Sequence, residues 1–440
     1  MSLAENVEYL RRLRELNGIT GFADFRSQPR PVTDSPLIEI ESFGSNPGKL
    51  KMFSYVPAQR QPLLPLVVVL HGCGQIAAEY DLGAGWSTLA KHYGFALLLP
   101  EQQRANNAQR CFNWFQGEDI TRGEGEIGSI RQMIAKMVAD RAIDPRRIFI
   151  TGLSAGGAMT MAMLSTYPEL FAAGAVIAGL PFGVAQNVRD ALMQMRLPSP
   201  RDGQELGNLV RRASSFRGHW PRLSVWHGTA DRTVHPDNAD EIVKQWLDLH
   251  GLPLGPMAES DVDGYPRQVW WNGDGETMVE SYTLTDMAHG TPLGVAENDK
   301  RYGKQGPFLI DAGISSSYHI AKFFGVTDWI RQPKQVAESP SAKLIPQVSP
   351  ISSVLPSLSR MLRPKSAETK PADAKGVDAK GADAKGADAK ATDAKAIDVK
   401  TTDSKPADSR SAEPKRETRR APIDVAAVIE RALQAAGLKK

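Results

Sequence analysis

Short apolar runs punctuate the middle of the chain at regular intervals. Leu66-Val67-Val68-Val69-Leu70, Phe95-Ala96-Leu97-Leu98-Leu99, Ile148-Phe149-Ile150, Gly174-Ala175-Val176-Ile177-Ala178, Leu223-Ser224-Val225-Trp226-His227 and Val279-Glu280-Ser281-Tyr282-Thr283-Leu284 all read as strands. Runs apolar on both faces belong to strands covered on both sides, as in a parallel sheet flanked by helices. Segments with helical period lie between them. Ile127, Ile130, Ile134, Met137 and Val138 share one helix face, and Ala239, Ile242, Val243 and Trp246 share another. Breakers mark the joints. Pro100 stops the strand that ends at Leu99, Asp144-Pro145 ends the first helix, and Tyr167-Pro168 ends the helix after Gly157. Val279–Leu284 is the last strand and Ser315 to Phe324 the last helix. Ahead of these, 37–43 and 50–56 alternate around Asn46-Pro47-Gly48, which predicts a hairpin. Strands alternating with helices predict an α/β fold with a doubly wound, mostly parallel sheet. Residues 183–220 fit no strand pattern and suit a helical insertion or a cap.

The pattern fails at both ends. Residues 1–35 read as a polar amphipathic helix and a connector. Residues 336–370 are rich in Ser, Pro, Lys and Ala. A five-residue unit then repeats, as in Pro371-Ala372-Asp373-Ala374-Lys375 and Gly376-Val377-Asp378-Ala379-Lys380, to about Lys415. Each unit carries one acid, one base and almost nothing to bury, so the tail is expected to be disordered. From 422 the chain regains an apolar stripe: Val425, Val428, Ile429, Ala432 and Leu433, with Asp424 to cap it and Gly437 to stop it. A helix of about 14 residues is marginal alone, so this one needs a surface to dock on. The expected organisation is therefore 1–35, a catalytic domain over 36–335, a linker over 336–421 and a terminal helix over 422–440.

Charge changes the picture little. The 53 Lys and Arg nearly cancel the 50 Asp and Glu, for a net charge of +3. Nucleic-acid binding, which needs a concentrated basic excess, gains no support. No run of about 18 apolar residues exists to span a membrane. The N-terminus lacks the basic, apolar and small-residue regions of a secretory signal, so the default location is cytoplasmic. With 2 cysteines there is neither a disulfide framework nor a metal-spaced cluster. No metal or cofactor is expected.

The chemistry centres on Gly152-Leu153-Ser154-Ala155-Gly156-Gly157. A strand before it and a helix-compatible run after it supply the context in which G-x-S-x-G marks a nucleophile on a tight strand-to-helix turn. A serine hydroxyl needs a base to take its proton and a carboxylate to orient that base. Asp231 is the acid candidate. It follows the strand ending at His227, whereas Asp237 and Asp240 suit a helix cap and a solvated helix face. His289 is the base candidate, on a Gly- and Pro-containing loop just after the last strand. His319 and His92 suit packing or surface roles, and His235 lies too near the acid in sequence to be its partner. The oxyanion needs two N–H donors, and Ala155 and Cys73 are placed for it. Cys73 lies in Leu70-His71-Gly72-Cys73-Gly74-Gln75, the loop after an early strand, where His71 suits bracing rather than base catalysis. Cys73 and Cys111 both follow strand ends on one side of the sheet. They can pair, but in a reducing cytosol they are expected to be packed thiols. Trp114 and Phe115 suit either an apolar wall of the acyl pocket or plain core.

Together, His71–Gln75, Cys111-Phe112-Asn113-Trp114-Phe115, Gly152–Gly157, His227-Gly228-Thr229-Ala230-Asp231 and His289-Gly290-Thr291-Pro292 resemble the polyhydroxybutyrate depolymerase family of esterases over roughly residues 45–330. The resemblance implies an α/β-hydrolase fold, a Ser154–Asp231–His289 triad and hydrolysis of short-chain hydroxyalkanoate polyesters or oligomers. Feruloyl and acetylxylan esterases have similar catalytic domains, which leaves carbohydrate esters as an alternative substrate class. A non-catalytic scaffold acting through its tail is the alternative outside enzymes. Members are commonly secreted, which implies an extracellular location at odds with the N-terminus. Secreted members often add a folded polymer-binding domain. Here the terminal helix stands in its place, expected to dock on a partner protein or a polyester granule.

Overall fold

The computed structural model describes residues 35–58 and 62–327. The expected N-terminal helix, repeat linker and C-terminal helix lie outside them. One sheet contains β1 (Ile38–Glu39), β2 (Lys51–Tyr55), β3 (Leu64–Leu70), β4 (Ala96–Glu101), β5 (Ile143–Leu153), β6 (Ala173–Ile177), β7 (Arg222–Gly228), β8 (Ala258–Val262), β9 (Tyr265–Trp271) and β10 (Thr277–Leu284). Their order across it is β1-β2-β4-β3-β5-β6-β7-β10-β9-β8. Neighbours from β4 through β3, β5, β6 and β7 to β10 are all parallel. The strands at both margins are antiparallel.

Helices cover both faces, as the two-sided apolar strands require. Successive β3 side chains enter opposite layers. Leu66, Val68 and Leu70 join α3 (Gly117–Ile120), α4 (Gly125–Asp140), α5 (Ala155–Thr166) and α8 (Asp237–His250) in one core. Val67 and Val69 join α1 (Ala77–Ala84), α2 (Trp86–Tyr93) and α9 (Ser316–Phe323) in the other. Phe149 and Trp226 also belong to the second core. Phe149 stacks on Phe324 at 4.8 Å and Trp226 on Tyr282 at 3.7 Å between ring centroids. A doubly wound α/β sheet is thus what the alternation produces.

The structure departs from the sequence reading in several places. The first strand of the hairpin is only two residues long, with Ile38 opposite Ser54. Pro100 does not stop β4, which continues to Glu101 with Pro100 opposite Met52. The ladder with β3 ends at Val68–Leu98, so a missing N–H at Pro100 costs no bond on that side. Asp144 and Pro145 lie inside β5, where the register with β3 shifts. Val279–Leu284 is not the last strand, because β11 (Thr291–Leu293) and β12 (Leu309–Asp311) pair in parallel beyond it. The β8–β9 hairpin is also absent from the sequence reading. It turns at Asp263-Gly264, both at positive φ, which is a recognisable hairpin signal. Residues 183–220 hold two helices, α6 (Val188–Arg196) and α7 (Gly203–Ala213), capped by the Asn187 and Asp202 side chains.

Candidate functional site

Ser154 stands where β5 turns into α5, at φ 56° and ψ −117°. A non-glycine residue in such a conformation costs on the order of 1–3 kcal/mol and persists only where its surroundings fix it. Here the Ser154 N–H donates to Ile177 O at 2.9 Å. Gly152 admits the returning helix, since a Cβ there would stand 2.3 Å from Gly156 O. Ala155 opens α5, so its N–H belongs to the first turn, which has no intrahelical acceptor.

Asp231 lies three residues beyond the end of β7. Its Oδ1 accepts the N–H groups of Thr233 at 2.8 Å and Val234 at 2.9 Å. Its Oδ2 lies 2.6 Å from His289 Nδ1 and 3.3 Å from His227 Nε2. Burial pushes this carboxyl up, but the hydrogen bonds from His227 and His289, and their charge when protonated, outweigh it and hold it well below the usual carboxylate range. Asp231 is therefore ionised at neutral pH. His289 Nδ1 must carry the proton between them, which leaves Nε2 with a free lone pair. The loops bearing the two residues are laced together. Thr229 N donates to Leu284 O at 2.9 Å and Ala230 N to Met287 O at 3.1 Å. Asp237 is exposed and sits in the first turn of α8, with Pro236 rather than itself at the capping position. Asp240 is exposed on the same helix.

The loop after β3 is fixed from several sides. His71 is buried; its Nδ1 donates to Gly72 O at 2.8 Å and its Nε2 accepts from Gln102 N at 3.1 Å. Burial holds this imidazole down at about 4, so it is neutral. Cys73 and Cys111 form a disulfide, not the packed thiols expected for a cytosolic chain. Gly74 N donates to Gln109 O at 2.7 Å, which brings the two loops into register for that bond. Gly72 N is taken by Gln75 Oε1 at 2.9 Å and Gln75 N by Gly72 O at 3.3 Å. Among the described residues the Cys73 N–H has no acceptor. Trp114 is buried in the first core and Phe115 packs beside it, ring edge to face at 5.4 Å.

The sequence reading missed two features. One is the second imidazole on Asp231, from His227. The other is Glu126, buried on α4 under the disulfide loop. It accepts from Asn113 N at 2.9 Å, from Asn113 Nδ2 at 2.8 Å and from Gln102 Nε2. An acidic residue in the first turn of an amphipathic helix looks like ordinary dipole compensation, so no local signal marks it.

These residues occupy one edge of the sheet. Gly152, Val176 and Val225 are register partners, and Gly228 pairs with Leu284, so the ends of β5, β7 and β10 all point the same way. A family model described as Esterase PHB depolymerase matches residues 52–258. Poly(3-hydroxyalkanoate) depolymerase C of Paucimonas lemoignei is 42% identical over 291 residues, covering 66% of this chain and 70% of that protein. The chain belongs to the PHB depolymerase family of esterases. An acetylxylan esterase of Coprinopsis cinerea is 34% identical, covering 60% of this chain and 72% of that protein. Feruloyl esterase B of Talaromyces funiculosus is 29% identical, covering 60% and 76%. The acetyl xylan esterase structure from Aspergillus awamori shares the fold at a TM-score of 0.56 and 24% identity, covering 66% of this chain and 99% of that one. This PHB depolymerase family member is a serine carboxylic ester hydrolase with an α/β-hydrolase fold. Among the described residues no helix is long and apolar enough to cross a membrane.

Proposed function

We propose that the protein hydrolyses short-chain polyhydroxyalkanoates or their oligomers through an acyl-enzyme on Ser154. The observation that carries the chemistry is the buried 2.6 Å contact between Asp231 Oδ2 and His289 Nδ1, on the sheet edge that also bears Ser154. The 42% identity to a polyhydroxyalkanoate depolymerase supports the substrate class. In this mechanism His289 Nε2 takes the Ser154 Oγ proton as the oxygen attacks the ester carbonyl. Asp231 holds the tautomer and stabilises the imidazolium. The N–H groups of Ala155 and Cys73 receive the oxyanion. His289 then protonates the departing alkoxide, which leaves as the hydroxyl end of the chain. Water, deprotonated by the same nitrogen, attacks the acyl-enzyme, and His289 returns that proton to Ser154 Oγ as the carboxylic acid departs. Trp114 and Phe115 wall the acyl side.

The disulfide supports work in an oxidising compartment outside the cytosol rather than the cytoplasmic location expected from the N-terminus. In this reading the residues beyond 335 attach the catalytic domain to the polyester granule. A chain ending at residue 335 should keep its turnover of soluble esters and lose co-sedimentation with granules. Unchanged co-sedimentation removes the docking role.

A carbohydrate ester substrate is the second reading, favoured by the acetylxylan and feruloyl esterase relatives. Hydroxybutyrate oligomers, acetylated xylan and methyl ferulate, each offered to wild type and Ser154→Ala, separate the two. Oligomer cleavage should exceed the others and vanish in the variant. Preference for xylan or ferulate overturns the substrate class, and full turnover by Ser154→Ala overturns the mechanism.

A further inference from the structure

We propose that His227 is a positioning residue for the acid of this site, holding the Asp231 carboxylate in the orientation that His289 requires. The inference rests on the Ser154–Asp231–His289 reading and adds a fourth side chain to it.

His227 Nε2 faces two acceptors, Val234 O at 2.9 Å and Asp231 Oδ2 at 3.3 Å. Neither can donate, since one is a carbonyl and the other an ionised carboxylate, so Nε2 must carry a proton shared between them. The opposite nitrogen, Nδ1, is buried with no hydrogen-bond partner among the described residues. Packing alone does not call for an imidazole here, because an apolar side chain would fill the space without an orphaned nitrogen. What the ring contributes is its one donor.

That donor differs in origin from the others on Asp231. The N–H groups of Thr233 and Val234 belong to the same loop as the carboxylate and move with it. His289 is the group to be oriented and cannot serve as the anchor. His227 lies within β7, opposite Thr283 of β10, inside the parallel ladder. Its Nε2–H therefore ties both the carboxylate and the loop carbonyl of Val234 to the rigid sheet. The charged groups around the ring are Asp231 and, at longer range, Asp240 of α8.

Three variants of the full chain test this, with Ser154→Ala beside them and a soluble 4-nitrophenyl ester as substrate. His227→Gln keeps an N–H near the position of Nε2. His227→Asn ends its amide short of it, and His227→Leu removes it. The Leu and Asn variants should lose about 10- to 100-fold in kcat, as expected for losing a hydrogen bond to a charged group. KM should stay within about twofold, because substrate binding does not use this contact. His227→Gln should recover most of the loss. Should the Leu variant fail to fold, the two amides carry the comparison alone. Turnover near wild type in the Asn variant, or equal loss in Asn and Gln, overturns the proposal. Turnover by Ser154→Ala would instead mean that the underlying triad reading is wrong.

Discussion

Gly156, in the first turn of the helix behind Ser154, lies so close to His71 that a Cβ on it would stand 2.5 Å from the His71 carbonyl oxygen and from that of Leu70. The serine elbow and the loop bearing Cys73 therefore meet backbone to backbone. The two proposed oxyanion donors sit on either side of that contact. Leu70 is the last residue of the central strand β3 and His71 the next, its ring held by Gly72 O and Gln102 N, so neither carbonyl yields readily. Gly156→Ala should push the loop and helix apart and displace one donor from the other. The expected result is a kcat loss of about 100-fold or more, the usual cost of removing such a donor, with reduced thermal stability. Steady-state kinetics beside a melting curve check both.

The proposed acid is distinguished by its surroundings. Asp231 is buried with four donors around it, whereas Asp237 is exposed. Asp231→Asn should lower kcat by about 10⁴-fold by supporting the wrong tautomer, and Ser154→Ala and His289→Ala should each be at least as severe. Asp237→Asn should be near neutral. Circular dichroism of each variant confirms that the fold survives. If Asp237→Asn proves the damaging change, the acid is misassigned.

The Cys73–Cys111 bond closes a loop with a sequence separation of 38. On a chain-entropy estimate, closing such a loop stabilises the fold by about 4 kcal/mol. Cys73→Ser with Cys111→Ser should therefore lower the midpoint of urea unfolding substantially. At temperatures where the variant stays folded, turnover should remain within about tenfold of wild type, because the role assigned to Cys73 uses its backbone N–H and not its sulfur. A hundredfold loss in the folded variant would give the sulfur or its bond a direct role.

How far these features were legible in the sequence depends on how local their signals are. The parallel core was readable because its central strands, such as β3 and β4, are apolar on both faces, a property of about five consecutive residues. That Ser154, Asp231 and His289 lie along one edge of the sheet was readable because each follows a strand end, so order along the chain maps onto that edge. Pro100 misled because its effect depends on which neighbour still pairs with β4, a non-local fact. The β8–β9 hairpin was missed although Asp263-Gly264 marks it, because Glu259, Ser260 and Asp261 make its first strand polar. His227 and Glu126 were hidden for another reason. His227 meets Asp231 and Val234, four and seven residues on, only because the loop after β7 folds back over the strand, and Glu126 is met by Gln102 and Asn113 from a loop elsewhere in the sequence; the residue types beside them record neither contact.

Glu126 yields the last prediction. Burial is the largest influence on its carboxyl, and the nearby Asp119 carboxylate acts in the same direction. Together they push it up from 4.5 to about 8, against the hydrogen bonds from Asn113 and Gln102. The folded protein therefore holds a proton here that the unfolded chain releases between those two values. Where the folded state binds more protons, stability falls as pH rises. The contribution of Glu126 is thus fully present below about pH 4.5, declines through the window and levels off above about pH 8. Glu126→Gln cannot titrate, and its NH₂ group would face the Asn113 or Gln102 donors, so it should be less stable throughout. Its deficit relative to wild type should shrink as pH is raised from 5 toward 8, because only wild type loses stability from this site. Urea unfolding of both proteins at several pH values across that range measures the difference directly. A deficit constant with pH would mean that Glu126 ionises in the ordinary range. The result also bears on the proposed oxyanion loop. Gln102, which donates to Glu126, donates through its side chain to Cys111 O at 3.1 Å and through its backbone to His71 Nε2 at 3.1 Å. Ionisation of this buried acid is therefore felt on both sides of the disulfide.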